Sequence, residues 1–212
     1  LDVSQNTALL QLWCYSNQIS NLDVSQNTAL LQLFCSNNQL INLDVSNNNL
    51  GFLDCNNNQL TSLDVSQNTA LGSFWCSNNQ ITNLDLSNNA ALTYLFCQTN
   101  QLTSLDVSQS IGLISLWCDD NQLTNLDVSN NSTLAYFGCS FNQLNSLDVR
   151  NGNNTNTIMF DCRQNIFLYC IDVDNPSWSD SNWIDIDPWH NFSGDCQNEI
   201  FGCTDTNSSN YN

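Results

Sequence analysis

The sequence predicts an all-β-rich solenoid, a stack of about eight similar coils with two short parallel strands in each coil. The first observation is an internal repeat: the segment LDVSQNTALLQLWCYSNQISN, which begins at Leu1, recurs in similar form from Leu22. Its period of about 21 residues over roughly 165 is typical of solenoid repeats. The second observation is a period-two alternation of apolar and polar side chains, which favours strands over helices. Further copies begin at Leu43, Leu63, Leu84, Leu105, Leu126 and Leu147.

Each half of the repeat predicts one strand. In the first half, the period of a strand directs Leu12 and Cys14 into the core and Trp13 outward. In the second half, the Leu-Asp-Val segment that begins at Leu22 directs Asp23 outward. Asn-rich corners join the two strands, and neither half leaves room for more than a little α-helix. The two strands of every coil are therefore expected to form two parallel sheets that share one thin core.

An asparagine at the same corner of each copy is expected to hydrogen-bond the turn backbone and to stack on its counterparts in adjacent coils. These residues are Asn17, Asn38, Asn58, Asn79, Asn100, Asn121 and Asn142.

The repeat pattern resembles a known family. Each copy reads L-x-x-L-x-C-x-x-N-x-L, as in the segment from Leu9 to Ile19, and this pattern is similar to that of leucine-rich-repeat proteins. The alternating ten- and eleven-residue units resemble the bacterial class sometimes called IRREKO. The resemblance covers nearly the whole chain. It implies a right-handed leucine-rich-repeat coil over residues 1–169.

The repeat stops after Cys170. The Trp-rich segment from there to Cys196 resembles the disulfide-closed C-terminal cap of secreted leucine-rich-repeat proteins from the Bacteroidetes, including flavobacteria. The resemblance implies a cap at residues 170–196 with Cys170 paired to Cys196. Residues 197–212 resemble the start of a further extracellular module or a linker, in which Cys203 would need a partner beyond the given sequence. Because Leu1 lies in mid-motif, we expect an excerpt of a longer or processed protein without its N-terminal cap.

The charge balance excludes several classes of partner. Twenty acidic residues face two basic ones, giving a formal net charge of −18. Nucleic acids and anionic membrane surfaces attract basic proteins, so neither is an expected partner. The apolar runs are too short to span a membrane. Together with the family resemblance, these features predict a secreted or cell-surface location, on the outer face of a bacterial outer membrane.

One inward position of the repeat is always cysteine. A metal or redox array would need converging ligands or bridged sulfurs, whereas these thiols project in parallel from successive coils. Packing of a small apolar side chain in a narrow core is the favoured interpretation. The cysteines are Cys14, Cys35, Cys55, Cys76, Cys97, Cys118, Cys139 and Cys162.

Large rings occupy outward positions on the first strand of most coils. Such rings are unusual on a solvated strand and predict a contact face for a protein or a glycan chain. The alternative is that aromatic residues are simply good strand formers that cover their neighbours' backbone. The candidate face comprises Trp13, Phe34, Trp75, Phe96 and Trp117, with Phe52, Tyr94 and Tyr136 two positions earlier in the strand.

The outward residue of the second strand is an aspartate in every copy. Adjacent carboxylates about 5 Å apart repel by roughly 0.8 kcal/mol in water, so something must offset the repulsion. Hydrogen bonds from turn amides and from Ser or Asn side chains are the favoured explanation, and bound calcium is the alternative. The candidate calcium ligands are Asp23, Asp44, Asp64, Asp85, Asp106 and Asp127.

The sequence shows no active site. Its one histidine, His190, lies in the cap segment, so histidine-based triads and multi-histidine metal sites are not expected. No cofactor is required. The resulting hypothesis is a non-catalytic extracellular binding or adhesion module for a protein or polysaccharide at the cell surface. The alternative is a structural stalk or scaffold of a larger cell-surface protein, stabilised by calcium through the aspartates and joined to further domains.

Overall fold

In the computed structural model, which describes residues 1–197, eight parallel strands from successive coils form one continuous sheet, called sheet A. Equivalent residues of adjacent coils pair in register, as Leu12 does with Leu33. The predicted solenoid is therefore confirmed. The strands of sheet A are β1 Gln11–Trp13, β2 Gln32–Phe34, β3 Phe52–Asp54, β4 Ser73–Trp75, β5 Tyr94–Phe96, β6 Ser115–Trp117, β8 Tyr136–Gly138 and β10 Met159–Asp161.

The second strand of the repeat is formed only in the last coils, as a four-stranded sheet B in the order β12-β11-β9-β7. There Val128 N donates to Asp148 O at 3.0 Å. Among residues 1–124 no such bond joins the Leu-Asp-Val segments, and an open groove lined by Asp64 and Asp85 separates two of them. The early coils are thus too far apart on this side to pair. The strands of sheet B are β7 Asn125–Asp127, β9 Ser146–Asp148, β11 Cys170–Asp172 and β12 Asn191–Ser193.

The corner asparagines bond as predicted. Asn38 Nδ2 donates to the carbonyl oxygens of Cys14 and Cys35, both at 3.0 Å, and its Oδ1 accepts from Ile19 N at 2.9 Å. Each corner asparagine from Asn38 to Asn142 therefore joins two coils, whereas Asn17 bonds carbonyl oxygens of its own coil. The residue before it adopts a left-handed conformation in every coil, as Asn37 does with a φ of 54°.

A second column of buried asparagines, which the sequence reasoning missed, runs along the other side of the core. Asn27 Nδ2 donates to the carbonyl oxygens of Val3 and Asn6, both at 2.9 Å. The signal was available, because an asparagine follows the outward aspartate by four residues in copy after copy, with Ser110 as an exception. We call this set the inner asparagine column: Asn27, Asn48, Asn68, Asn89 and Asn131.

The C-terminal segment covers the open end of the stack. Its one helix, α1 (Pro176–Asn182), begins at Asn175, whose side chain accepts a hydrogen bond from Trp178 N. Trp183 is buried and stacks on Phe160 with ring centroids 4.2 Å apart. Such a cap shields the last coil from water, as solenoid ends require.

The predicted disulfide between Cys170 and Cys196 is confirmed, with Cα atoms 5.8 Å apart. A short 3₁₀ helix, Asn154–Asn156, lies within the insertion at residues 153–157. No helix within residues 1–197 has the length and apolar character of a membrane span. The predicted further module at residues 197–212, with Cys203, lies outside the described residues except for Gln197.

Candidate binding face

The outer surface of sheet A, called the sheet-A face, carries three columns of side chains. In each coil the middle residue of the strand points into the core, while the first and third residues point outward. The residue after each buried cysteine has the same outward parity and forms the third column. The first column is Gln11, Gln32, Phe52, Ser73, Tyr94, Ser115, Tyr136 and Met159. The second is Trp13, Phe34, Asp54, Trp75, Phe96, Trp117, Gly138 and Asp161. The third is Tyr15, Ser36, Asn56, Ser77, Gln98, Asp119, Ser140 and Arg163.

Five aromatic rings on this face are in unbroken contact, and we call them the ring row. From Trp13 the centroid distances are 4.9 Å to Phe34, then 4.6 Å to Phe52, 4.9 Å to Trp75 and 5.4 Å to Phe96. These spacings lie in the range where aromatic pairs attract one another. The contacts fix each ring against the next. The ring row is therefore an ordered surface before any partner arrives.

The ring row crosses from the second column to the first at the third coil, where Asp54 replaces an aromatic residue. The Asp54 side chain is buried, accepting a hydrogen bond from Ser36 Oγ at 2.8 Å and another from Asn56 N at 3.1 Å. Phe52, two residues earlier, fills the space between its neighbours. The carboxylate therefore lies beneath the aromatic surface without interrupting it.

Exposure differs along the predicted face. Trp13 is 61 % exposed, and the two tyrosines Tyr94 and Tyr136 are 40 % and 38 % exposed. Phe34 and Trp75 are half-buried because neighbouring rings cover them. Only part of each predicted ring is therefore open to a partner.

Trp117 was predicted to continue the row, but among the described residues no ring contact joins it to Phe96. Its Nε1 instead donates to Ser115 Oγ at 2.9 Å. The indole lies over Gly138, because a Cβ at that glycine would be 2.5 Å from Trp117 Cε3. The missing side chain in the next coil thus determines where this ring rests.

The third column contains candidate contact residues that the sequence reasoning missed. Tyr15 is 49 % exposed, and its ring lies 6.4 Å from that of Trp13. Asp119 Oδ1 accepts hydrogen bonds from Ser140 N at 2.9 Å and from Ser140 Oγ at 2.8 Å. Burial raises the pKa of Asp119, and the hydrogen bonds from Ser140 oppose that rise. The signal for this column was the parity of the residue after each cysteine.

Both arginines form ion pairs with an aspartate two residues earlier in the chain. Arg163 NH2 lies 2.6 Å from Asp161 Oδ2, and Arg150 NH2 lies 2.6 Å from Asp148 Oδ2. Arg163 is the only basic side chain in the three columns. The described part of the sheet-A face therefore has aromatic and acidic character, with its one cation already paired.

The outward aspartates of the Leu-Asp-Val segments, one of which reads Leu-Asp-Leu, form the aspartate ladder and accept hydrogen bonds from the backbone. The ladder comprises Asp2, Asp23, Asp44, Asp64, Asp85, Asp106, Asp127 and Asp148. Asp64 Oδ1 accepts from Ser66 N at 2.8 Å, and the same bond recurs along the ladder, as at Asp85 with Ser87. Hydrogen bonds from the side chain and backbone of Ser66 lower the pKa of Asp64, and those from the backbone and side chain of Ser87 lower the pKa of Asp85. Within residues 1–197 no three acidic, cysteine or histidine side chains converge as metal ligands, and the calcium alternative stays a prediction.

All eight repeat cysteines are buried and free, as the packing interpretation requires. Cys55 Sγ donates to Trp75 O at 3.5 Å, so a thiol also links one coil to the next. Burial raises the pKa of Cys55 well above its ordinary value. Such thiols are poor nucleophiles and poor metal ligands, because both roles need the thiolate.

His190 is part of the cap's internal packing. Its Nδ1 accepts from Asp187 N at 3.3 Å and lies 3.5 Å from Cys162 Sγ, and burial lowers its pKa. A cysteine beside a histidine can form a nucleophilic pair, but here Cys162 is fully buried and the imidazole is covered. The pair therefore has no access to a substrate.

Several solved structures resemble this one. The functional domain of InlJ from Listeria monocytogenes, described as including a cysteine ladder, is 32 % identical with a TM-score of 0.59, covering 88 % of this chain and 56 % of that one. A leucine-rich-repeat protein of Leptospira interrogans is 21 % identical, with a TM-score of 0.70 and coverage of 90 % and 56 %. A plant peptide hormone receptor, RGFR1, solved in complex with RGF2, is 20 % identical, with a TM-score of 0.58 and coverage of 90 % and 41 %.

The chain spans just over half the length of the first two structures, at 56 % of each. No protein-family model matches the sequence, and no curated protein matches it. The likeness therefore rests on the repeat pattern and the fold, and the cysteine column is a feature that the InlJ domain also has. By repeat and by structure, the chain has the leucine-rich-repeat fold.

Proposed function

We propose that the chain is a non-catalytic binding module that contacts a protein partner through the ring row. The observation that carries this proposal is the unbroken contact of five rings across five coils on the outer surface of a sheet. An apolar surface of this size is unusual on a solvated sheet and commonly marks a contact site. Its rings are already ordered, so binding costs little side-chain entropy.

The apolar surface continues beyond the rings at the N-terminal end of the face. Leu10 and Leu31, which immediately precede β1 and β2, are both exposed, and Leu31 N donates to Leu10 O at 2.9 Å. Tyr15 adds a further ring beside Trp13. A partner that covers these side chains together would bury a central apolar patch with a polar border, the usual anatomy of a protein interface.

The structural relatives support a binding role for this fold. RGFR1 is a receptor solved with RGF2 bound, so that protein uses the fold to hold a partner. The resemblance to the alternating ten- and eleven-residue class and to secreted Bacteroidetes proteins supports a secreted or cell-surface location, on the outer face of an outer membrane. A polysaccharide lying across the rings is the alternative ligand.

The test is binding of fluorescently labelled protein to intact cells and to immobilised polysaccharides. The variant carries Phe34→Ser, Trp75→Ser and Phe96→Ser, which remove three rings of the ring row. We expect the wild-type protein to bind cells, with binding lost after the cells are treated with protease. We expect the variant to bind at least about tenfold more weakly, because central aromatic residues dominate interface energies. Undiminished binding by a folded variant would contradict the proposal.

A matched control removes three exposed aromatic side chains that lie outside the three columns. Phe141, Phe167 and Tyr169 are all more than half exposed, and substituting each with Ser should leave cell binding unchanged. Melting temperatures of both variants establish that they are folded. Binding that survives protease treatment but is inhibited by soluble polysaccharide would point to the glycan alternative.

The hydrogen bonds between adjacent coils, such as those of the corner asparagines, support the stalk or scaffold alternative. They do so because they stiffen the stack of coils. Solvent access to the Trp13 indole, measured by the broadening of its N–H NMR signal with a soluble paramagnetic agent, separates the two functions. Access comparable with that of a free indole fits an open binding face. A protected Trp13 fits a face that is covered within a larger assembly.

A further inference from the structure

The C-terminal end of the sheet-A face brings an indole and a carboxylate together above a glycine. A Cβ placed on Gly138 would lie 2.5 Å from Trp117 Cε3 and 2.8 Å from Asp119 Oδ2. The ring and the carboxylate therefore lie side by side over Gly138, which is buried beneath them. Every other coil has a side chain at the position of Gly138, so this arrangement occurs once among the eight strands of sheet A.

The two groups are held by neighbouring side chains. Trp117 Nε1 donates to Ser115 Oγ at 2.9 Å, which fixes the orientation of the indole. Asp119 Oδ1 accepts two hydrogen bonds from Ser140, at 2.9 and 2.8 Å. Tyr136, which is 38 % exposed, precedes Gly138 by two residues on the same face. A ligand group would meet a site that is already formed.

Within residues 1–197, no basic side chain forms an ion pair with the carboxylate of Asp119. Burial raises its pKa, and the negative charge of Asp161 raises it further. Arg163, in the same column, is already paired with Asp161. Its Nε donates to Asp161 Oδ1 at 3.0 Å, and its Nη2 donates to Asp161 Oδ2 at 2.6 Å. A partly desolvated carboxylate without a counter-ion is stabilised when a cation arrives.

We propose that Trp117 and Asp119 form a subsite for an arginine side chain of the protein partner, an inference that rests on the binding function proposed above. A guanidinium stacks on an indole face and donates charge-assisted hydrogen bonds to a carboxylate, here to Oδ2, since Oδ1 already accepts two from Ser140. A lysine ammonium offers the charge without the planar fork. The ring row would then bind the apolar part of the partner, and this subsite would fix its register.

Charge complementarity argues against acidic occupants of this subsite. The chain has a net charge of −18, so a second copy of it would be repelled from this face. An acidic peptide or a phosphorylated group would meet Asp119 and Asp161 with like charge. A basic segment among apolar side chains is the partner chemistry that fits both the rings and the carboxylate.

The test uses two peptides that differ only in charge, Ac-Phe-Arg-Phe-NH2 and the same peptide with uncharged citrulline in place of arginine. Binding is followed by NMR through the indole N–H signal of Trp117. We expect the arginine peptide to bind about tenfold or more tightly than the citrulline peptide, since hydrogen bonds to charged groups are the stronger ones. Asp119→Asn should reduce that ratio to near one, while its amide oxygen can still accept from Ser140.

The control is Asp64→Asn, which removes one charge from the aspartate ladder away from sheet A and should leave the ratio unchanged. Equal affinity of the two peptides for the wild-type protein would overturn the subsite, as would failure of both to bind at millimolar concentration. The subsite would also be overturned if Asp64→Asn reduced the preference for the arginine peptide as much as Asp119→Asn does, because the preference would then reflect the net charge of the protein. If cell binding depends on the ring row but not on Asp119, the proposed function stands and this subsite is wrong.

Discussion

At the scale of single residues, small differences between copies of the repeat determine the chemistry of the face. Asp54 takes a position that is aromatic in the coils on either side, and Phe52 restores the aromatic contact from the adjacent column. Gly138 leaves space that the Trp117 indole occupies. Parity along the strand predicted that these residues point outward. It could not predict which rings touch, because that depends on the side chains in the coils above and below.

Gly138→Ala should displace the Trp117 ring. The added methyl group would lie 2.5 Å from Cε3, inside van der Waals contact, so we expect a loss of about 1–3 kcal/mol in unfolding free energy, the usual cost of overpacking. Urea denaturation followed by tryptophan fluorescence measures it. Gly112→Ala is the matched control, because its Cβ would have only Leu92 O at 4.0 Å. Equal stability of both variants would show that the indole does not rest on Gly138.

At the scale of elements, two asparagine columns and one strand column hold adjacent coils together. The inner asparagine column is fully buried, and its side-chain amides bond carbonyl groups of the preceding coil, as Asn89 Nδ2 does with Val65 O at 3.1 Å and Asn68 O at 3.0 Å. The pattern of the sequence predicted the repeat, the strands of sheet A and the corner asparagines. It did not predict that the coils separate along the aspartate ladder, because coil spacing depends on the stack rather than on one repeat.

Asn89→Ala should leave two buried carbonyl groups without their side-chain donor. Each carbonyl keeps a backbone donor, Asn68 N for Val65 and Leu71 N for Asn68, so the loss is that of two hydrogen bonds. We expect the unfolding free energy to fall by about 1–3 kcal/mol, at about 0.5–1.5 kcal/mol for each bond. Denaturation midpoints of the variant and of Ser87→Ala, an exposed change in the same turn, provide the comparison. A variant as stable as the wild-type protein would mean that these bonds contribute little.

The aspartate ladder offers two predictions. If the serine amides already offset the repulsion, the melting temperature in millimolar calcium should equal that in excess chelator, because no further charge compensation is needed. A rise of several degrees with calcium, abolished by Asp64→Asn together with Asp85→Asn, would support the calcium alternative instead.

The second ladder prediction concerns acid. Hydrogen bonds from the serine residues lower the pKa of Asp23, Asp44, Asp64 and Asp85 in the folded protein. Their stabilising contribution is therefore present above the unfolded pKa of about 3.9 and is lost as the pH falls through the lower folded value. The contribution of Asp119 to stability changes with pH in the opposite direction, because burial raises its pKa. The melting temperature should fall as the pH is lowered from 5 to 2. It should fall less steeply in a variant in which Asp23, Asp44, Asp64 and Asp85 are all changed to Asn.

At the scale of the whole molecule, the solenoid separates two chemistries. Sheet A presents aromatic rings on its outer surface, and the Leu-Asp-Val segments of the same coils present carboxylates with amide partners. The stack keeps equivalent side chains in columns, so a few substitutions produce a continuous surface. The repeat pattern predicted this division. The cap's internal arrangement, in which Trp183 stacks on Phe160, was not predictable, since its contacts have no repeat.

Site-specific photo-crosslinking tests the central claim most directly. Benzoylphenylalanine replaces Phe96 in one variant and Phe167 in another, and each is bound to cells and irradiated. We predict a covalent adduct with a discrete cell-surface protein from position 96 and none from position 167. Adducts from position 167 alone, or none from either position on cells that retain the protein, would contradict the account.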